Sequence, residues 1–350
     1  MTNSTQIRHI PGGTILPRLH FFGLCLAFSL LLGAGPARGL EITPFATRDL
    51  GPLSHIYGLP ATGGGRLLPP GAKELGVTAD LISHNVRIAR GSENLLLDGE
   101  TYRFALGARA DILDGLEVGI EVPLLVQGGG VTDSFIEGWH NFFGLPQGGR
   151  NTSPRNRLLF SYRENGAERL RVDDSAAGLG DILLTIGGRI GDPASDIPVD
   201  LALRGAVKLP TGSSSRLFGS GALDAALWLS ASEDVQVSLG HVTGYGSIGA
   251  LYLGRGDILP DKQRRFAGFG SFGLGWSPTA SIAFKAQLNG HTAFYRNSDL
   301  RTLSTPSIQL VVGGTIGLTP ATTLDIGVTE DISVNTAPDV TFHLSLSRKY

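Results

Sequence analysis

In the stretch Tyr102-Arg103-Phe104-Ala105-Leu106-Gly107-Ala108-Arg109-Ala110-Asp111-Ile112, every second residue is apolar and the residues between are charged or small. After Leu113-Asp114-Gly115 the pattern resumes: Leu116, Val118, Ile120, Val122, Leu124 and Val126 share one face, and Glu117, Gly119, Glu121, Pro123 and Gln127 share the other, with Leu125 the exception. A period of two with one apolar face is that of a half-buried strand. Each run is about ten residues long, against roughly five or six in soluble sheets; about ten is what a tilted strand needs to cross a bilayer. Keeping Ile112 and Leu116 on one face fixes a three-residue turn with Gly115 in the left-handed position. That register sets Asp111 opposite Glu117, and Arg109 opposite Gly119 and diagonal to Glu117 and Glu121. Ion pairs that neutralise one another are the expected result, in preference to a catalytic carboxylate pair.

The alternation recurs. Ile182, Leu184, Ile186 and Ile190 alternate with Asp181, Thr185 and Arg189; Val199, Leu201, Leu203, Val207 and Leu209 alternate with Asp200, Arg204 and Lys208. Ile282, Phe284, Ala286 and Leu288 alternate with Lys285, Gln287 and Asn289, and Leu324, Ile326 and Val328 with Asp325 and Thr329. Weaker runs occupy 74–88, 222–230, 235–242, 266–276, 307–318 and 339–350, giving about twelve strands, an even count as in bacterial single-chain barrels. Alternate connections are short (113–115, 191–198, 231–234, 277–281, 319–322) and the others long (89–99, 128–178, 209–221, 243–265, 291–306, 332–338), the asymmetry of periplasmic turns and external loops. The expected fold is all-β: a transmembrane antiparallel up-and-down barrel spanning 74–350, with both ends in the periplasm.

Composition agrees. The 350 residues are 41% hydrophobic and 17% charged, with 50 Gly, and the formal net charge of −2 gives no reason to expect a nucleic-acid partner. Glycine at about twice the usual share, without a triplet period, suits curved, tightly packed sheet. Arg outnumbers Lys 24 to 5; guanidinium groups suit phosphate, which makes outer-membrane lipid and lipopolysaccharide conceivable partners, although codon bias explains the excess equally simply.

Residues 1–39 read as a signal peptide. Arg8, Arg18 and His20 precede the apolar run Phe21–Gly35, and Ala37-Arg38-Gly39 offers small residues around a cleavage point after Gly39, with Ala37 the alternative. The run is too short for a spanning helix, and Leu24 before Cys25 is wrong for a lipoprotein. Removal of the leader leaves no Cys, so thiol chemistry is excluded. Residues 40–73, rich in Pro and Gly, are expected to be a periplasmic tail or a plug of the lumen. The chain ends on Tyr350, with Leu346, Leu344, Phe342 and Val340 on the same face; this resembles the insertion signal read by the barrel assembly machinery, from which Arg348 departs.

Four further stretches carry a family resemblance: Pro44-Phe45-Ala46-Thr47-Arg48-Asp49-Leu50-Gly51-Pro52-Leu53 with Ile56-Tyr57-Gly58-Leu59-Pro60; Trp139-His140-Asn141-Phe142-Phe143-Gly144-Leu145-Pro146; Gly178-Leu179-Gly180-Asp181; and Lys208-Leu209-Pro210-Thr211-Gly212. In this order they resemble a proteobacterial outer-membrane family known only as a domain of unknown function (DUF family 3187), over most of residues 41–350. The last two also look like barrels linked to aromatic degradation and proposed to act in uptake. The resemblance brings no catalytic residues.

Within the loop 128–178, Ser134 and Glu137 form a capping box ahead of Phe135, Trp139, His140, Phe142 and Phe143, a short amphipathic helix stopped by Pro146. Two placements fit it: folded into the mouth as a gate, or on the rim among headgroups. Asn165-Gly166 reads as a hairpin tip joining 157–164 to 167–172. No His spacing implies a metal, and no cofactor is implied. The favoured function is a channel or uptake barrel for a small solute, with Arg103, Arg109, Asp111, Glu117, Glu121, Asp181, Arg189, Arg204, Lys208 and Lys285 as luminal, selectivity-setting charges. A lipid-modifying enzyme using His241 or His291, and a closed structural surface barrel, are the alternatives.

Overall fold

The structure is a computed structural model that describes residues 40–132, 134, 137, 138, 141, 142, 144, 154–191, 199–332 and 337–350. Twelve strands close an antiparallel barrel: β1 (Lys73–Arg90), β2 (Glu93–Leu113), β3 (Leu116–Gly128), β7 (Ile182–Ile190), β8 (Val199–Leu209), β9 (Asp224–Gln236), β10 (His241–Tyr252), β11 (Phe266–Thr279), β12 (Ile282–His291), β13 (Ser307–Thr319), β14 (Thr322–Asp331) and β15 (Val340–Lys349). Closure is the pairing of β1 with β15, from Glu74↔Lys349 to Ser83↔Val340. Between β3 and β7 lie β4 (Leu159–Glu164), β5 (Ala167–Val172) and β6 (Ala176–Leu179). The strand β6 pairs with β3 just beyond β7 and extends it past a break at Gly180-Asp181. Closure leaves the twelve barrel strands with a partner on either side, so their backbone is satisfied without water; the free edges of the sheet are the short β5 and β6 beyond the barrel.

The alternation sorts the side chains as the sequence demands. Along β2, Phe104 and Leu106 are exposed outward while Thr101, Arg103 and Ala105 are buried inward; Ile248 is 72% exposed and Tyr245 3% exposed on β10. Apolar residues exposed on each of the twelve barrel strands would be costly in water and are at home in lipid. Tyr252 against Phe266 marks one end of the outward band, and the stacked pair Trp276 and Phe284 marks the other. Arg348, the departure from the terminal pattern, sets its guanidinium 5.2 Å from the Tyr350 ring centroid at that second end, where a long side chain can reach the polar interface.

The turn at 113–115 forms with Gly115 at φ +77, and the register pairs Asp111 with Glu117 and Arg109 with Gly119, as the turn length requires. Asn165 and Gly166 both have positive φ and join β4 to β5. Two boundaries differ from the sequence reading. The connection 89–99 is not a loop: β1 and β2 run on to Arg90 and Glu93, and β4 pairs with the extension from Glu93↔Glu164 to Asp98↔Leu159. Leu95 and Leu97 keep the alternation going because Phe160 and Tyr162 cover them. The run 235–242 is not a strand of its own: β9 continues to Gln236, the turn is 237–240 with Gly240 at φ +76, and β10 occupies much of the expected loop 243–265. Its Gly244, Gly246 and Gly249 erase the apolar period there.

The interior is filled by residues 40–72. Leu53, Ile56, Tyr57 and Leu59 of this segment form one buried apolar cluster with Phe160, Tyr162, Leu217, Trp228, Leu251, Phe294 and Tyr295, so the core of the protein lies inside its own barrel.

Candidate functional site

The lumen is the candidate site, and its geometry follows from two limbs of the segment 40–72. The first limb begins at the short-turn end, where Leu40 N–H donates to the Thr279 carbonyl, and runs along β12. Lys285 Nζ donates to the Thr43 carbonyl (3.0 Å), Phe45 N–H to Gln287 Oε1 (2.8 Å), and His291 Nε2 lies 2.8 Å from Asp49 Oδ2. Tyr295 Oη donates to the Leu53 carbonyl (3.1 Å). Each of the last three contacts joins residues 242 apart, so the limb advances in step with the wall.

At the long-loop end the chain turns, with Ser54 and His55 N–H groups on the Gly51 carbonyl and Tyr57 packed on Phe294. The second limb descends along β9: Gly58 N–H donates to Asp224 Oδ2 (2.9 Å), Trp228 Nε1 to the Thr62 carbonyl (2.6 Å) and Gly65 N–H to Ser232 Oγ (3.1 Å). Arg66 pairs with Asp200 (2.8 Å) and Asp234 (3.0 Å). Leu68 N–H then donates to Glu117 and Gly71 N–H to Asp111, delivering the chain to β1.

The charges singled out in the sequence fall into two groups against this frame. Arg103 bridges Asp80 (2.7 Å) and Glu121 (2.6 Å), and Arg48 of the first limb takes Glu121 as well (2.6 Å). Arg109 bridges Glu74 (2.7 Å) and Glu117 (3.2 Å), and Arg204 pairs with Glu117 (2.8 Å) while donating to the Gly64 and Arg66 carbonyls. Lys208 sits between Asp181 (2.6 Å) and Asp224 (3.0 Å) and donates to the Ile56 carbonyl (2.9 Å). Lys285 pairs with Asp325 (3.0 Å), its Nζ 4.0 Å from the Phe45 ring centroid. Arg189 stands apart, held by Asp114 in the first turn at 3.3 Å. Of the candidate helix, Phe135, Trp139, His140 and Phe143 lie outside the described residues, and Phe142 is exposed.

Nearly all of these side chains therefore grip the segment or its neighbours. Burying one charge without a partner costs several kcal/mol, so the pairs are what make a charged wall compatible with a filled lumen. The sequence reading missed the carboxylates that complete them, Asp80, Asp224 and Asp325, and the Asp49–His291 contact. Asp325 stands on an alternating face and Asp49 in the motif at 44–53, but strand period alone does not say what a buried charge meets. His343, also missed, lies 2.6 Å from Asp80. Both ring nitrogens of His291 are occupied, Nε2 by Asp49 and Nδ1 by the Thr292 carbonyl, and its ring stacks on Phe294 at 4.2 Å; neither nitrogen is left to activate a nucleophile.

Two of the quoted motifs meet in space. Asp181 of Leu-Gly-Asp receives Lys208 and the Gly212 N–H, and Thr211 Oγ1 donates to the Gly180 carbonyl. A family model for a protein of unknown function (DUF3187) matches residues 21–350. The chain belongs to that family. Among curated proteins none matches. Among solved structures, the DUF3187 chain is similar to the COG4313 outer membrane channel from Pseudomonas putida F1, at 12% identity and a TM-score of 0.50 over 81% of this chain and 97% of that one. It is also similar to the NanC porin (10% identity, TM-score 0.43, 79% and 100% covered) and to the CymD monoaromatic hydrocarbon channel (11% identity, TM-score 0.38, 81% and 88% covered). The first of these likenesses supports the fold: the DUF3187 chain is a β-barrel of the outer-membrane type.

Proposed function

We propose that the DUF3187 barrel is an outer-membrane channel for a small solute, and that residues 40–72 are a plug that fills it at rest. The observation that carries this is the double traverse of the lumen by that segment, hydrogen-bonded to β12 on the way out and to β8 and β9 on the way back. The wall charges set selectivity only after the plug moves: Arg103, Arg109, Asp111, Glu117, Glu121, Asp181, Arg204, Lys208 and Lys285 change from plug ligands to pore lining, with Arg189 at the periplasmic rim. A small recess at the long-loop end of the filled lumen, lined by Leu53, Phe294, Tyr295 and Leu303 beside His84 and His291, suits a small solute with an apolar body and a polar group.

In this reading the leader 1–39 is removed near Gly39, the short-turn end faces the periplasm, the assembly machinery reads the strand ending at Tyr350, and the long-loop end meets lipopolysaccharide. The helix expected around residues 135–143 is a candidate gate or a rim anchor among headgroups. The barrel works as a conduit and not as an enzyme, in keeping with the spent nitrogens of His291.

Planar-bilayer recording tests the proposal. Wild type is expected to be silent or to open rarely and briefly, and a chain lacking residues 41–66 to conduct steadily. A folded deletion variant that passes no current would sink the channel reading and leave a closed structural barrel.

A further inference from the structure

Inside the barrel Arg48, Arg103, Arg109 and Arg204 all have carboxylate partners. At the long-loop rim the situation is reversed. Arg255, Arg265 and Arg296, with Pro260, Asp261 and Gln263, line a recess of about 440 Å³. None of the three arginines makes an ion pair among the described residues. The recess's own carboxylate, Asp261, is taken by Arg169 at 2.6 Å, so it leaves the three positive charges uncompensated.

The frame that holds them is firm. Leu253 N–H donates to the Arg265 carbonyl, Arg264 N–H to the Phe294 carbonyl and Arg296 N–H to the Lys262 carbonyl. The buried Gln263 accepts from Gly256 N–H at 3.0 Å and donates to the Gly254 carbonyl at 2.5 Å. Like charges gathered on a fixed backbone repel one another, and an anion relieves that repulsion. Guanidinium forks match phosphate oxygens two at a time.

Depth selects the source of the anion. Arg265 donates to Tyr252 Oη at 2.6 Å, with its Cζ 5.1 Å from that ring. Tyr252 in turn packs against Phe266 on the outward face. Tyr at the end of a lipid-facing band marks the headgroup level, so the recess opens just beyond it, where lipid phosphates lie. A volume of this size accepts a phosphorylated sugar with room to spare over bare phosphate.

We propose that this recess binds a phosphate monoester on an outer-leaflet lipid headgroup. The lipid source rests on the orientation given above, with the long-loop end outside; the phosphate chemistry does not. The test uses the purified full-length mature barrel in detergent, with bisphosphorylated lipid A, dephosphorylated lipid A and inorganic phosphate as probes. Folding of each variant is checked by circular dichroism. Phosphorylated lipid A is expected to bind wild type and to lose about tenfold or more in affinity in R255A/R265A/R296A, with partial rescue by the triple Lys variant. Dephosphorylated lipid is expected to bind both proteins alike. Unchanged affinity in the triple Ala variant overturns the site, and competition by inorganic phosphate at equal concentration overturns the lipid source. Orientation is read separately: N165C at the β4–β5 tip should react with a membrane-impermeant maleimide on intact cells. Absence of labelling refutes the outward placement whatever the detergent result.

Discussion

The two limbs of the segment 40–72 are held in different proportions by backbone hydrogen bonds and by charge. Over residues 43–46 the wall beside the first limb reads backbone: Lys285 and Gln287 bond to main-chain atoms of residues 43 and 45, while Thr43 and Ala46 are exposed; side chains take over at Arg48 and Asp49. Contacts at a constant separation of 242 mean that limb and wall advance together. Along the second limb the separation varies: 166 at Gly58, both 166 and 168 at Thr62, whose carbonyl takes Trp228 and Ser230, 167 at Gly65 and 168 at Arg66. The chain bends at Gly63-Gly64-Gly65, with Gly63 at φ +66, and charges of Arg66, Arg204 and Lys208 fasten it. The first limb tolerates changes at its exposed side chains, Thr43 and Ala46, but not at Arg48 and Asp49, which pair with Glu121 and His291. The second limb has a close backbone approach at Gly65 that tolerates no added side chain.

The largest effect should come from breaking that approach. A Cβ on Gly65 would stand 1.9 Å from the Asp200 carbonyl oxygen and 2.8 Å from the Ser232 nitrogen, both backbone atoms of the wall. Gly65→Val is therefore expected to expel the second limb, giving steady single-channel current and a new protease-sensitive bond after Arg66. Ala46→Ser on the first limb is the paired control and should leave both measurements at wild-type level.

Next in size is Lys208→Met. It leaves Asp181 and Asp224 buried without their shared cation and removes the donor to Ile56. A cost of about 3–5 kcal/mol is expected in urea unfolding of the detergent-solubilised barrel. Lys208→Met combined with Asp224→Asn should recover part of that cost, because one of the two stranded charges is then gone. On the first limb, Gln287→Ala strands the Phe45 N–H and carbonyl. It should cost about 1–3 kcal/mol, with faster amide exchange at Phe45 and little change in conductance. A larger loss at Gln287 than at Lys208 would reverse the comparison.

The same contrast explains what the sequence reveals. The period of two between Tyr102 and Val126 has one solution for a strand with a lipid face, and the turn length before Leu116 fixes the Asp111–Glu117 register, so the wall is legible. Around Gly244, Gly246 and Gly249 it is not, because glycines stand on both faces, Gly244 and Gly246 outward with Ile248 and Gly249 inward with Tyr245, and leave no alternation to read. The inward charges are visible as inward, but a water-filled pore and a plugged lumen both call for charges of mixed sign. What separates the two is whether Arg204 and Lys208 meet carbonyls at Gly64 and Ile56, a contact across about 140 to 150 residues that no local pattern encodes.

The smallest effect concerns the cover over the turn that joins the limbs. Above it, Glu93 at the outer end of β2 is buried and receives Tyr162 Oη, the Asp299 N–H (2.6 Å), Ser298 Oγ (3.0 Å) and Lys262 Nζ (3.2 Å). Burial alone would raise the pKa of this carboxyl; the Tyr162 hydrogen bond and the other donors outweigh it and hold the value below the usual range. A carboxylate whose folded pKa is depressed contributes stability above its unfolded pKa, about 4.3, and loses it as pH falls through the lowered value. Amide exchange in β4 and β5 should therefore be pH-independent in its opening step near neutrality and quicken as the medium is acidified below about pH 4. Glu93→Gln, which cannot ionise, should open more readily at neutral pH and show no acid transition of its own. An acid transition that survives in Glu93→Gln would move the sensitivity to another group, and exchange in β4 that never changes with pH would show that the apolar packing of Phe160 and Tyr162 suffices to cover the turn.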